Sequence, residues 1–162
     1  HIIIQNRTLT FNDYKVKCAV GKRGIKIKKR EGDLITPKGI FKIKYLLYRN
    51  DRIPRLEANI KRLKIRKSFG WCDDPNSKKY NQLIKLPTKY SAEKLHKKDN
   101  TYDIILVLDY NMNPVKKNKG SAIFIHIAKK NYKKTLGCIA VSKKNLIKIV
   151  KKINKFTLVN IY

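Results

Sequence analysis

Acidic residues are scarce in this sequence. Only 11 of its 162 residues are Asp or Glu, against 40 Lys or Arg, so the formal net charge is +29. Cysteine is scarce as well. Three cysteines, an odd number, exclude a disulfide scaffold and leave at least one thiol free in the monomer. Histidine also numbers three, and no Cys-x-x-Cys or His-x-x-x-His spacing occurs, which removes the usual zinc patterns. Long apolar runs are missing. The longest, Ile104–Leu108, is bounded by Asp103 and Asp109 and is far too short to span a bilayer. What is abundant is apolar residues, at 42%, with 9% aromatic, so the chain can bury a core and is expected to be one domain, residues 1–162.

The charge invites a nucleic-acid reading, and its composition argues against one. Of the 40 basic residues 32 are Lys and only 8 are Arg, whose planar fork is the better match to phosphate. Lys, Ile and Asn together supply 68 of 162 residues, the trio that AT-rich codons encode. Much of the charge therefore reads as codon bias, and no nucleic-acid partner is expected.

Hydrophobic alternation reads mostly as strands. Ile2–Ile4, Tyr14–Val20, Gly24–Lys28, Ile40–Tyr48, Leu83–Leu86, Tyr102–Leu108, Ser121–Ala128 and Phe156–Ile161 all fit. Residues 49–68, with Asp51, Pro54 and many basic residues, suggest an excursion or flap. Ser91 to Leu95 predicts a short helix capped by Ser91, reaching to about residue 97. Leu146, Ile149, Val150 and Ile153 recur at helical spacing behind Ser142, which predicts one longer amphipathic helix.

The chemistry is sought among the few Cys and His residues. Cys18 sits on an apolar strand face and reads as a small core residue. Cys72 reads as part of a polar loop beside Asp73 and Asp74, where negative charge disfavours a thiolate. His96 reads as a surface residue. His126 ends the run Ile123-Phe124-Ile125-His126, and Cys138 follows Gly137. An imidazole beside a thiol supplies a base, and N–H groups around a Gly-Cys turn can face an oxyanion. A plain core His and core Cys in neighbouring strands fits the same spacing, and spacing alone does not choose.

Order along the chain adds more. Ile-Phe-Ile-His, eight residues, then Thr135-Leu136-Gly137-Cys138-Ile139-Ala140-Val141-Ser142 resembles the active-site stretch of the YkuD-type L,D-transpeptidases. Val20-Gly21-Lys22-Arg23-Gly24, Arg30-Glu31-Gly32-Asp33 and Thr36-Pro37-Lys38-Gly39-Ile40-Phe41 resemble the N-terminal half of that family. Gly70-Trp71-Cys72-Asp73-Asp74-Pro75 with Tyr80-Asn81, and Gly120-Ser121-Ala122-Ile123-Phe124, resemble one branch of it. The likeness runs from about Ala19 onward.

The resemblance implies a mainly β fold, two packed sheets in a sandwich with a helix after the cysteine. It implies Cys138 as nucleophile, His126 as base and acid, a backbone carbonyl as the group orienting the histidine, and Gly137 as turn or oxyanion donor. Thr135, Arg23, Arg30, Trp71, Tyr80 and Asn81 are the implied substrate contacts. Two departures stand out: Leu136 replaces the motif's second histidine, and Ala140 its arginine. Arg23, Arg30 or Arg49 is expected to compensate, although Arg49 and Asp51 also fit a plain surface pair.

The implied reaction is acyl transfer from a peptidoglycan stem tetrapeptide, through a thioester, to a neighbouring stem's amine. Water as acceptor would make it an L,D-carboxypeptidase or endopeptidase. The implied partner is peptidoglycan stem peptide in the periplasm or cell envelope, with no cofactor. The rival reading is a catalytically silent basic module that binds wall or nucleic acid.

Overall fold

The computed structural model describes all residues, His1–Tyr162. Fourteen strands and one α-helix form it. In chain order the strands are β1 (Ile2–Gln5), β2 (Thr8–Phe11), β3 (Tyr14–Lys17), β4 (Ile25–Lys26), β5 (Thr36–Pro37), β6 (Gly39–Tyr48) and β7 (Arg62–Lys64). Then come β8 (Phe69–Cys72), β9 (Leu83–Lys85), β10 (Ala92–Lys94), β11 (Ile104–Leu108), β12 (Phe124–Ile127), β13 (Ile139–Val141), α1 (Lys143–Lys152) and β14 (Leu158–Ile161).

The main sheet runs β13-β12-β11-β6-β14-β1-β2-β3, with β7 beside β6. A register shift at Val107/Leu108 marks an irregularity of the kind that bends a strand. The sheet curls until its ends meet: Ala19, just past β3, exchanges both backbone hydrogen bonds with Ala140 in β13, at 2.7 and 2.9 Å. A second sheet, β10-β8-β9, packs outside it. The mainly β sandwich is therefore observed.

Period-two alternation distributes the apolar side chains between two cores. In β11, Ile104, Leu106 and Leu108 face the inside of the curl, and Ile105 and Val107 face out. A strand buried on both faces must be apolar throughout, which is why this is the chain's longest apolar run. The inner core is closed by α1 through Leu146, Ile149 and Val150. Ser142 caps α1, accepting from Asn145 N–H at 3.3 Å. The outer core, Trp71, Phe124, Leu47, Ile105 and Val107 among others, lies beneath the small sheet. In β12 the same alternation turns Ile125 and Ile127 inward and leaves Phe124 and His126 on the opposite face.

Three expectations are corrected. Residues 91–97 hold no helix. Ala92–Lys94 is a strand paired with β8, with Glu93 opposite Trp71. An isolated helix this short has little stability of its own, whereas the strand gains ladder bonds and buries Leu95 completely. Cys72 is not in a polar loop but ends β8, fully buried. Residues 49–68 are not a loose flap. β7 adds to β6 in parallel, Leu56 is buried, and Asn59 Nδ2 donates to Lys151 O at 3.1 Å.

Arg49, buried, forms a two-pronged pair with Asp51 at 2.8 and 2.6 Å and donates to Lys97 O at 2.8 Å. It ties this excursion to the 97–103 segment.

Candidate active site

A cavity of about 620 Å³ opens between the end of the main sheet and the small sheet. His126 and Cys138 both line it. They reach it by adjacent, parallel strands: Ile125 is registered with Ile139, and His126 with Ala140. Cys138 sits one residue ahead of β13, at the tip of the Thr135–Cys138 turn.

That turn is fixed by two hydroxyls. Thr135 Oγ1 donates to Cys138 O at 2.6 Å and accepts from Gly137 N–H at 3.1 Å. Thr36 Oγ1 accepts from Gly21 N–H at 2.8 Å and donates to Gly137 O at 2.8 Å. Gly137 has φ +154°, and a Cβ there would lie 3.1 Å from Ile35 O, so only glycine lets the turn seat against the 34–36 segment. The Gly137 N–H is thus occupied. The Cys138 N–H donates to no protein group.

His126 is buried. Its Nδ1 lies 2.9 Å from Ile127 O, and because a carbonyl only accepts, the proton sits on Nδ1. Nε2 then carries the free lone pair. Tyr102 stacks edge-on against the imidazole with centroids 5.3 Å apart, and its hydroxyl donates to Glu93 Oε1 at 2.7 Å. Burial drives His126 from its ordinary 6.5 down to about 4, and Lys97 and Lys129 push the same way. Cys138 Sγ donates to Ala122 O at 3.1 Å. Burial pushes this thiol up to about 12. Glu93 adds to the rise, while Lys28 and Lys97 oppose it. The resting pair is a neutral thiol and a neutral imidazole.

The depressed histidine carries a stability consequence. Between pH 6.5 and about 4 the unfolded chain binds a proton at His126 that the folded chain refuses. Folding stability therefore falls as pH drops through that window, by about 3 kcal/mol once both limits are passed. Denaturant midpoints at pH 7.5 and pH 4, for the parent and for His126→Gln, check this. The parent is expected to lose more than the variant by about that amount.

The remaining expected contacts divide. Thr135 lines the cavity, but Arg23 and Arg30 are exposed and lie outside its lining. The positive charge at the cavity comes instead from lysines, notably Lys22, Lys129, Lys133 and Lys134. Leu136 is 68% exposed at the mouth.

Trp71, Tyr80 and Asn81 are buried and make internal bonds instead of lining the cavity. Trp71 Nε1 donates to Asn81 Oδ1 at 3.0 Å. The Tyr80 hydroxyl donates to Glu31 and accepts from Gly120 N–H. Residues 49–68 contribute nothing to the cavity wall.

Sequence reasoning missed Thr36, Ala122, Tyr102 and Glu93. Thr36 stands in the Thr36-Pro37-Lys38-Gly39 segment, which the sequence marks by its likeness to the family. Nothing in an alanine's identity marks Ala122, with its φ of +54°.

A search of curated proteins finds no match. A scan against family models finds one, YkuD, described as the L,D-transpeptidase catalytic domain, over residues 2–161. A sequence match spanning essentially the whole chain makes it a member of the YkuD L,D-transpeptidase family.

Proposed function

We propose that the chain is a peptidoglycan L,D-transpeptidase in which Cys138 is the nucleophile and His126 the acid–base group. The observation that carries this reading is the shared cavity: one thiol and one imidazole, on registered strands, beside an unpartnered backbone N–H.

The donor is a stem tetrapeptide. Sγ leaves Ala122 O and attacks the carbonyl carbon of the third, diamino-acid residue, while Nε2 of His126 takes the thiol proton. A neutral base suits a neutral thiol, because proton and nucleophile move together and no buried ion pair has to pre-exist. The carbonyl oxygen, becoming negative, meets the Cys138 N–H. The C–N bond to the terminal D-Ala breaks, and its nitrogen leaves with the proton from His126. A thioester on Cys138 remains. The amine of a second stem then attacks it, forming the cross-link and restoring the thiol.

The lysines around the cavity complement the carboxylates that such stems carry. The substrate places this chemistry in the cell wall, outside the cytoplasmic membrane. No helix of the chain is long and apolar enough to cross a membrane.

The test is mass spectrometry of muropeptides after incubation with purified tetrapeptide sacculi. New dimers together with released D-Ala are expected, and fragmentation gives the bond position. Tripeptide monomers alone would replace transpeptidation with carboxypeptidase activity. An unchanged profile would refute both.

A further inference from the structure

The thiol's only hydrogen-bond acceptor is a carbonyl whose own position is unusual. Ala122 lies in the left-handed region, φ +54°, which an alanine does not choose unaided. Something outside the residue must hold it there. The structure gives one side-chain partner to its backbone N–H, Asn81 Oδ1 at 3.0 Å.

Asn81 is itself fully engaged. It is 2% exposed. Oδ1 also accepts from Trp71 Nε1 at 3.0 Å. Nδ2 donates to Tyr110 O at 3.0 Å and Asn111 O at 2.8 Å. Two donors and two acceptor sites are all an amide side chain offers, and each has a partner. Such a group has no freedom to shift and locks what it touches. Trp71 anchors it from the outer core, packed edge-on against Phe124 at 5.0 Å between centroids. A chain of contacts thus runs from the outer core through Asn81 and Ala122 to the Cys138 sulfur.

We propose that Asn81 is a positioning residue for the Cys138 thiol, holding Ala122 so that its carbonyl receives the S–H and fixes where the sulfur rests. Asn81 lies outside the cavity lining and acts only through Ala122. A carbonyl can hold a thiol but repels a thiolate, so the same contact keeps the resting sulfur protonated until the attack begins. The importance of this for turnover rests on the proposed role of Cys138; the contact itself does not.

The experiment reads the contact directly. The S–H stretching band in the Raman spectrum reports whether a thiol is hydrogen-bonded. The difference between the parent and Cys138→Ser isolates the Cys138 band from those of Cys18 and Cys72. In Asn81→Ala this band is expected to move to the position of an unbonded thiol. Asn81→Asp keeps an oxygen for the Ala122 N–H and is expected to retain the parent band, at a cost in stability. An unmoved band in folded Asn81→Ala overturns the proposal. If Asn81→Ala does not fold, Ala122→Val breaks the contact from its other end, since a β-branched residue resists the left-handed region. The same shift is then expected, and an unmoved band is again fatal.

Activity on stem peptides supplies the second readout. Misplacing the sulfur is expected to lower kcat by up to about a hundredfold with little change in KM. A moved band with kcat unchanged would show that the position does not matter for turnover, and would overturn that half of the proposal. A parent enzyme with no turnover but a moved band would count against the proposed function and support the positioning.

Discussion

Alanine at position 138 leaves a folded protein and removes at least about a thousandfold of turnover. The thiol donates one hydrogen bond, to Ala122 O, and the turn that carries it is held by the Thr135 and Thr36 hydroxyls on backbone atoms. Losing Sγ therefore disturbs little besides the chemistry. Without it no thioester forms, and His126 is left with only water to activate. Intact mass after brief exposure to a stem tetrapeptide checks the point. The parent should gain the mass of a tripeptide acyl group, and Cys138→Ala should gain nothing. A variant retaining a tenth of the parent's activity would remove Cys138 from its assigned role. Equal wall binding by both, with turnover in neither, would favour the silent binding module.

The largest loss of stability is expected at Asp33→Ala. Asp33 and Lys28 form an ion pair whose side chains are 4% and 3% exposed. Asp33 also accepts from the N–H groups of Lys29, Arg30 and Ile35 at 2.8, 3.2 and 3.1 Å. Burial works against its charge, but these four donors together hold the carboxyl down to about 2. Removing the carboxylate strands a buried ammonium and leaves three backbone donors facing nothing. The cost is about 3–5 kcal/mol, a large share of an ordinary domain's stability. Lys28→Met in the same chain should restore part of this, because the unpaired charge goes while the orphaned N–H groups stay. Urea unfolding midpoints for the two variants decide it. A single-variant cost under about 1 kcal/mol would mean that the pair does not support the loop.

This loop was visible in the sequence through the likeness of its Arg30-Glu31-Gly32-Asp33 stretch to the family, and nothing there announced the buried pair. The strands were more legible, because alternation survives wherever one face meets a core: β6, β11, β12 and β14 fall close to where the pattern puts them. Ser142 and the Leu146–Ile153 spacing announced α1. The failures have a common cause. Residues 91–97 carry a helix-start signal, yet Glu93 and Leu95 are claimed by β8 and the outer core, and that pairing with residues some twenty positions earlier outweighs local propensity. Trp71, Tyr80 and Asn81 looked like site residues because their motif is distinctive. The distinctiveness lies in a buried network, and one sequence does not separate a residue that touches substrate from one that holds its neighbour. His126 and Cys138 were legible as a pair only through family resemblance. Their alternation and spacing suited a plain core equally well.

The order of strands has a bearing on how the protein is made. β14 is last in the chain but lies between β6 and β1, and Tyr162 N–H closes onto Ile4 O at 3.0 Å. Thr36 meets Gly137 across 101 positions. Contacts so distant in sequence form late and slowly, since the chain must first close large loops. β14 is the one strand that joins the β13-β12-β11-β6 ladder to the β1-β2-β3 ladder, so the curl that carries Ala19 round to Ala140 runs through it.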